Sequence, residues 1–422
     1  MGSLPISFIL TILAVSVAGS VIRKNEEIVS SRRTEHTGST THILQDQLNL
    51  NEKRIKRQIT DEYQTWPNAT MYYLIEPSIS EDKEILALVY HSMSYISART
   101  CIKFVESNTS ENRINIQKSE KECYSAIGMS GGVGQPLALK ENCAFAGGIV
   151  HELMHALGIY HTQNRVDRDD YITLVGELVG DAIGNLGISE RSYNAVPYEY
   201  GSTMHYVINS YQGTLMVPKE EAYSKTLGLR RVTFYDMVNV NKANSCKCSV
   251  ELDCKNGGYT NPSNCSQCLC PDGFAGKFCD QSPPYSVQLT AALGWKGYRV
   301  KFGYDMDETT FLLYHVIISA PPDKTIQIKV VKTEMLACQP GCNKNGVEIK
   351  YKGDPRITNP ILCCSSDVNK ETVFDSKQNP LPIVLYTRYF SSEITFHYRY
   401  VDVPLSKNNL TTNGYDDYQY YA

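Results

Sequence analysis

The sequence predicts an α+β protein built in parts: a mixed helix-and-sheet unit, a short cysteine-dense module and a β-rich region. Three observations carry this reading. The segment HELMHALGIYH, His151 to His161, gathers three of the chain's nine histidines. Six of its fourteen cysteines crowd between Cys248 and Cys279. From about residue 281 to 402, strand-like runs such as IQIKVVK, GVEIKY, PIVLYTRY and ITFHYRYV follow one another. The 422 residues are enough for two to four domains. Hydrophobic residues make up 42% and charged ones 20%, so most of the chain can fold. A net charge of −4 is too small to point to nucleic acid or an anionic membrane as partner.

Along the chain, residues 5–18, PISFILTILAVSVA, form an apolar run that ends in small residues. It is shorter than the roughly 18 to 20 residues that cross a bilayer, and reads as a secretory signal over residues 1–18. No other stretch is long and apolar enough to span a membrane. Fourteen cysteines suit an extracellular, oxidising compartment. Asn68, Asn108, Asn264 and Asn409 each open an Asn-x-Ser/Thr acceptor for glycans on exposed loops. The basic cluster Arg54-Ile-Lys-Arg57 follows a polar segment free of aromatic residues, and a foldable region follows it. This predicts a propeptide over residues 19–57, cut after Arg57 to leave Gln58 as the new N-terminus.

From residue 58 to 246 the pattern is mixed and uninterrupted. EDKEILALVYHSMSYISART has the apolar spacing of an amphipathic helix, whereas INIQKS and GTLMVP read as strands. The cysteine cluster occupies residues 247–280 and the β-rich region residues 281–402. Residues 403–422, polar and rich in tyrosine, read as a disordered tail.

The histidines pose the chemical question. On a helix, an offset of four places His151 and His155 on one face, a turn apart. An offset of six cannot reach that face unless the chain reverses. Gly158 stands where a glycine would permit the reversal. Three neutral imidazoles suit Zn2+, one ion per subunit, and leave an open position for water. Glu152 then sits beside the metal as general base and proton shuttle. The pattern His-Glu-x-x-His-x-x-Gly-x-x-His matches the metzincin protease motif. No Gly-x-Ser-x-Gly elbow occurs, so a serine hydrolase has no support.

The continuation HTQNRVDRDDYI resembles the astacin metalloproteases, with Arg165, Asp167, Arg168 and Asp169 at the family's positions. YEYGSTMHY, Tyr198 to Tyr206, is similar to the family's Met-turn. The resemblance implies a zincin-like catalytic domain over residues 58–246 and Met204 as an apolar floor beneath the metal. It also implies Tyr206 as the tyrosine that contacts resting zinc and swings to stabilise the oxyanion. The family does not use the position of His205 as a ligand. Bridges Cys101–Cys246 and Cys123–Cys143 are implied too. CKNGGYTNPSNCSQCLCPDGFAGKFC looks like an EGF-like module, which implies Cys248–Cys265, Cys254–Cys268 and Cys270–Cys279. Residues 281–402 resemble a CUB-like β-sandwich, with the pairing of Cys338, Cys342, Cys363 and Cys364 left open. These two modules would serve extracellular matrix partners, and the catalytic domain protein or peptide substrates.

The resemblance has departures. Ile159 replaces a Phe, Thr162 replaces the Glu after the third histidine, and LVGEL lacks an Asn-Trp-Asp-like stretch. The family caps zinc in the zymogen with an Asp of a Phe-x-Gly-Asp motif, and the nearest match is Asp46 in ILQD. Without a carboxylate at position 162, the new N-terminus is expected to be buried uncharged, as pyroglutamate, or to stay in solvent. The matrix metalloprotease branch would need a propeptide cysteine, and none precedes Cys101. A catalytically inactive matrix or adhesion protein is the remaining alternative, and an intact Glu152 stands against it.

Overall fold

The computed structural model describes residues 65–175, 185–190, 192, 195–210, 213–304, 310–389 and 391–402. The expected signal, propeptide, Asp46, Arg57, Gln58, Asn409 and tail lie outside these residues.

The first part is built on a five-stranded sheet: β1 (Thr70–Ile75), β2 (Lys103–Glu106), β3 (Ile114–Lys118), β4 (Tyr124–Ser125) and β5 (Gln135–Leu139). Its order is β2-β1-β3-β5-β4, parallel except for the edge pair β4–β5. INIQKS supplies β3, with Ile114 and Ile116 fully buried in alternation with polar neighbours. A short helix α1 (Pro77–Ser80) leads into α2 (Lys83–Ser97), whose start is capped by Asp82 accepting from the Ile85 amide at 3.1 Å. Leu88, Val89, Ser92, Met93 and Ile96 form the buried stripe of α2, the spacing that the sequence carries. That stripe packs with Ile149, Leu153 and Met154 of α3 (Ala146–Ala156) into one core with the sheet. The Trp66 indole donates to the Ala156 carbonyl at 2.7 Å, tying the start of the described chain to the end of α3.

Beyond α3 lie β6 (Ile172–Leu174), β7 (Asn209–Ser210), β8 (Gly213–Thr214) and β9 (Met216–Pro218). GTLMVP, expected as one strand, is therefore two. At Leu215 the chain changes partners, because β8 pairs with β7 while β9 pairs with β6. Helix α4 (Phe234–Ala243) closes this part, with Thr233 and Asp236 in a reciprocal capping box.

The cysteine-dense module holds only β10 (Tyr259–Thr260) and β11 (Cys268–Leu269), stapled by Cys248–Cys265, Cys254–Cys268 and Cys270–Cys279. Cys101–Cys246 and Cys123–Cys143 bridge the preceding part. The β-rich region is a sandwich. One sheet runs β12-β14-β19-β16-β17 and the other β13-β20-β15-β18. The first comprises Val287–Thr290, Leu312–Ser319, Leu381–Thr387, Asn345–Ile349 and Ile361–Leu362, and the second Lys296–Phe302, Ser392–Asp402, Lys324–Glu334 and Phe374–Asp375. Their inner faces share a core around Phe302, Ile328, Ile383 and Phe396. Cys338–Cys364 and Cys342–Cys363 resolve the pairing that spacing left open.

These parts do not hang as separate beads, since the described residues, all within 65–402, belong to one compact unit. Arg231, just before α4, pairs with Asp272 of the cysteine-dense module and, at 2.8 Å, with Glu348 of β16. Glu348 is fully buried and also pairs with Lys350 at 2.8 Å. Tyr223 donates to the Thr358 carbonyl at 3.1 Å, and Thr226 accepts from the Ile361 amide at 2.9 Å. Removing one partner of a buried ion pair leaves an uncompensated charge, at a cost of about 3–5 kcal/mol. Arg231→Ala is accordingly expected to lower stability by that order in denaturant titration of the intact chain. A loss below about 1 kcal/mol would show that the network does not hold the parts together.

Candidate metal centre

Helix α3 runs through the core, and every residue from Gly147 to Ala156 is buried. Gly147 permits this. A Cβ there would lie 1.8 Å from the Arg230 carbonyl oxygen, so only glycine lets the two backbones meet. The helix ends in a Schellman motif: the Gly158 amide donates to the His155 carbonyl at 2.8 Å and the Ile159 amide to Met154 at 3.0 Å. Gly158 has φ +93°, the left-handed conformation that the reversal needs.

That reversal brings His161 back to the helix. The His155 and His161 Nε2 atoms lie 3.0 Å apart, and those of His161 and His151 3.3 Å. The other ring nitrogens of His151 and His155 are engaged by backbone. His151 Nδ1 meets the Thr203 carbonyl at 2.7 Å, and His155 Nδ1 the Ile159 carbonyl at 2.8 Å. A carbonyl can only accept, so each Nδ1 carries the proton and each Nε2 turns a bare lone pair toward the others. Burial, reinforced by the neighbouring histidines and Arg230, holds His151 and His161 well below the ordinary histidine range. Burial lowers His155 to about 4. His151 and His155 thus each turn a lone pair toward His161 Nε2, and the three nitrogens gather closely enough to hold one cation. Bonds of about 2.0–2.1 Å in a tetrahedral site fit zinc. Cys363, Cys364 and Asp367 also converge, but both cysteines are spent in disulfides.

Glu152 is buried beside the triad, and its Oε2 has no hydrogen-bond partner. Burial pushes its carboxyl up to about 7, against the lowering effect of Arg230. An unpaired carboxylate oxygen on a residue that lines the same cleft as the three imidazoles suits a base acting on a water there. Met204 is buried in the same core as α3, and its carbonyl accepts from the Thr162 amide at 3.0 Å. The Tyr206 ring centroid lies 4.4 Å from that of His161, and its hydroxyl donates to Asn185 Oδ1 at 3.1 Å. His205 is turned elsewhere, with Nε2 on the Tyr198 hydroxyl at 2.8 Å and Nδ1 on the Tyr206 carbonyl at 2.9 Å.

Downstream, Arg165 grips Asp167 through two nitrogens, at 2.8 and 2.7 Å, and donates to the Val196 carbonyl at 2.8 Å. Arg168 pairs with Asp169 at 2.8 Å and donates to the Gln163 carbonyl at 2.9 Å. The charged run thus braces the loop after His161. Sequence reasoning missed Arg230 and Asp236. Arg230 donates to the Thr203 and His205 carbonyls at 2.7 and 3.1 Å. Asp236 accepts from Ser202 Oγ at 2.5 Å and the Thr203 amide at 3.0 Å. Together they hold the turn whose carbonyl orients His151. Thr233-x-x-Asp236 carries a capping signature that could have flagged Asp236, whereas nothing in the pattern marks Arg230. Among the acceptor asparagines, Asn68, Asn108 and Asn264 are all at least partly exposed.

A neutral histidine triad at the end of a core helix, with an acid between its first two members in sequence and a methionine turn whose carbonyl orients His151, defines a metzincin-type zinc peptidase. The chain belongs to the astacin family of peptidases, whose family model matches residues 58–245. It is 46% identical to zinc metalloproteinase nas-17 of Caenorhabditis elegans across 99% of both chains. To zinc metalloproteinase nas-16 of the same organism it is 42% identical, over 98% of this chain and 93% of that one. Among solved structures, high choriolytic enzyme 1, a hatching enzyme zinc-protease from Oryzias latipes, aligns with 44% of this chain and 94% of its own. Its identity is 27% and its TM-score 0.39. The protein is therefore a zinc metalloendopeptidase acting on protein or peptide substrates, and its fold is α+β, with a disulfide-stapled module and a β-sandwich after the catalytic part.

Gly158 has open space around its missing Cβ, so only its φ forbids a side chain. Gly158→Val is expected to cost about 1–2 kcal/mol and to loosen zinc, since it strains the turn that returns His161. Chelator competition would read the loss. Unchanged metal affinity would mean that the turn does not position the third ligand.

Proposed function

We propose that this is a secreted endopeptidase made as a zymogen, with His151, His155 and His161 as zinc ligands and Glu152 as general base. The unpaired Oε2 of Glu152, in the cleft that the converging histidines also line, is the observation that carries it. Bound zinc supplies Lewis acidity and lowers the pKa of the attacking water. Glu152 takes the proton that the water loses on attacking the scissile carbonyl, and delivers it to the departing amine nitrogen. Tyr206 leaves Asn185 and donates its hydroxyl to the carbonyl oxygen as negative charge develops there. Met204 contributes no chemistry; it fills the floor.

Secretion is supported by the apolar segment 5–18 and by seven disulfides that use every cysteine. No helix among the described residues is long and apolar enough to cross a membrane. Extracellular or matrix proteins are the proposed substrates, activation is by cleavage after Arg57, and Asp46 is the proposed cap in the precursor. The inactive-adhesion reading is disfavoured because the acid and all three histidines are in place.

Glu152→Ala is expected to lower turnover of a peptide substrate by about a thousandfold or more while zinc stays bound, because the acid is not a ligand. His155→Ala should lose both. Near wild-type turnover of the Glu152 variant, with metal content measured alongside, would rule the mechanism out.

The new N-terminus gains a third option beside the two drawn from Thr162: burial as an ammonium. A small cavity beside Thr162 is lined also by Glu199, Ser202, Asp236 and Asn239. Asn239 Oδ1 is buried without a hydrogen-bond partner. Glu199 and Asp236 line the cavity together with the Arg165 guanidinium, so its preference for an ammonium over a neutral pyroglutamate rests on the unpartnered Asn239 oxygen. Mass spectrometry of the processed chain should then show intact, uncyclised Gln58 that resists aminopeptidase. Pyroglutamate in a stable, active chain would return the reading to an uncharged terminus.

A further inference from the structure

The cleft over the metal centre is not made by the catalytic part alone. Gln339, Asn343, Lys344 and Arg388, all from the sandwich, line it together with Glu152, Tyr206 and Arg230. The sandwich segment that reaches the cleft is fastened to the catalytic part rather than lying loosely against it. Asn343 Oδ1 accepts from the Arg230 amide at 2.7 Å, and its Nδ2 donates to the Gly228 carbonyl at 3.1 Å. The Gly341 amide donates to the Lys225 carbonyl at 2.9 Å. From behind, Arg388 Nε donates to the Asn343 carbonyl and its amide to the Lys344 carbonyl, each at 3.0 Å. The Arg388 guanidinium also lies 4.4 Å from the ring of Phe145, the residue that caps the start of α3. Cys342–Cys363 and Cys338–Cys364 staple the same segment from its own side. A segment pinned from both sides meets a ligand without ordering cost.

Charge gives this wall a preference. Among the described residues, and apart from Glu152, five basic residues line the cleft against one acid, Glu122, and Lys344 and Arg388 are two of the five. Arg388 is buried and committed to holding the segment. Lys344 is partly exposed, with its ammonium 5.1 Å from the Tyr389 ring centre.

We propose that the sandwich completes the substrate cleft, and that Lys344 is a specificity-determining residue that binds an acidic side chain of the bound peptide. Asn343 and Arg388 are its positioning residues. The inference rests on reading the cleft as peptide-binding. The sandwich is then part of the active site, and substrate choice is written partly outside the catalytic segment.

The test measures binding and turnover separately. Processed, zinc-loaded Glu152→Gln protein, cut after Arg57 and retaining everything C-terminal to that cut, is titrated, by fluorescence anisotropy, with labelled peptides that carry either Glu or Gln at each position flanking the scissile bond. At one position the Glu peptide should bind about five- to tenfold more tightly than its Gln twin, the effect of one partly screened charge pair. Adding Lys344→Gln should bring that ratio close to one, Lys344→Arg should keep it, and Lys344→Glu should invert it. Because each ratio is taken within one variant, a general loss of affinity does not imitate the effect. The same ratio in the Lys344→Gln and Lys344→Arg variants, or no Glu preference at any position, would overturn the proposal. Turnover of the same peptides by the Glu152-intact protein reports the peptidase reading independently: tight, Lys344-dependent binding without cleavage would sink that reading and leave the subsite standing.

Discussion

Three imidazoles are gathered with their Nε2 atoms toward one another inside the protein, and much of the catalytic part is arranged to hold them so. The arrangement depends on two backbone carbonyls. Ile159 supplies one from the far side of the Schellman turn, and Thr203 the other from the methionine turn. Each accepts an Nδ1 proton and so fixes which nitrogen remains free for a metal. Neither residue contributes through its side chain to this task, which is why the constraint is geometric rather than compositional.

The Thr203 carbonyl is itself held in place. Asp236 accepts from the backbone and side chain of the turn, and Arg230 draws its carbonyls from the opposite side. Asp236 is buried, yet several donors compensate the carboxyl, as they must for a charge removed from water. Since Asp236 also caps α4, the helix that closes the catalytic part and the turn beneath the metal share one acid. Packing of α4 is thereby coupled to the orientation of His151, 85 residues away in sequence from the acid that links them.

Arg230 and Arg231 stand side by side and face different ways. Arg230 serves the metal centre, while Arg231 reaches the buried Glu348 and Asp272 of the two later parts. Two adjacent residues therefore connect the catalytic turn to the docking of the sandwich. Buried ion pairs are not efficient sources of stability, but they are sensitive to geometry and specify one docked arrangement over near alternatives. The sandwich loop at Asn343 depends on that arrangement for its place on the cleft rim.

Much of this was legible in the sequence. His151, His155 and His161 could be grouped because an offset of four repeats the helical period and Gly158 marks the reversal. Helix α2, strand β3 and the main strands of the sandwich announce themselves by apolar spacing, a local property. The tertiary structure alone decided what depends on residues far apart. The pairing among Cys338, Cys342, Cys363 and Cys364 has three solutions by counting and one in space. The division of GTLMVP follows from which strands lie alongside it. The roles of Thr203 and Arg230 come from hydrogen bonds that span long stretches of chain, and Lys344 reaches the cleft only because the sandwich is docked against it. Periodicity records the face a residue presents to its own element; it carries no record of the element that will be packed against that face.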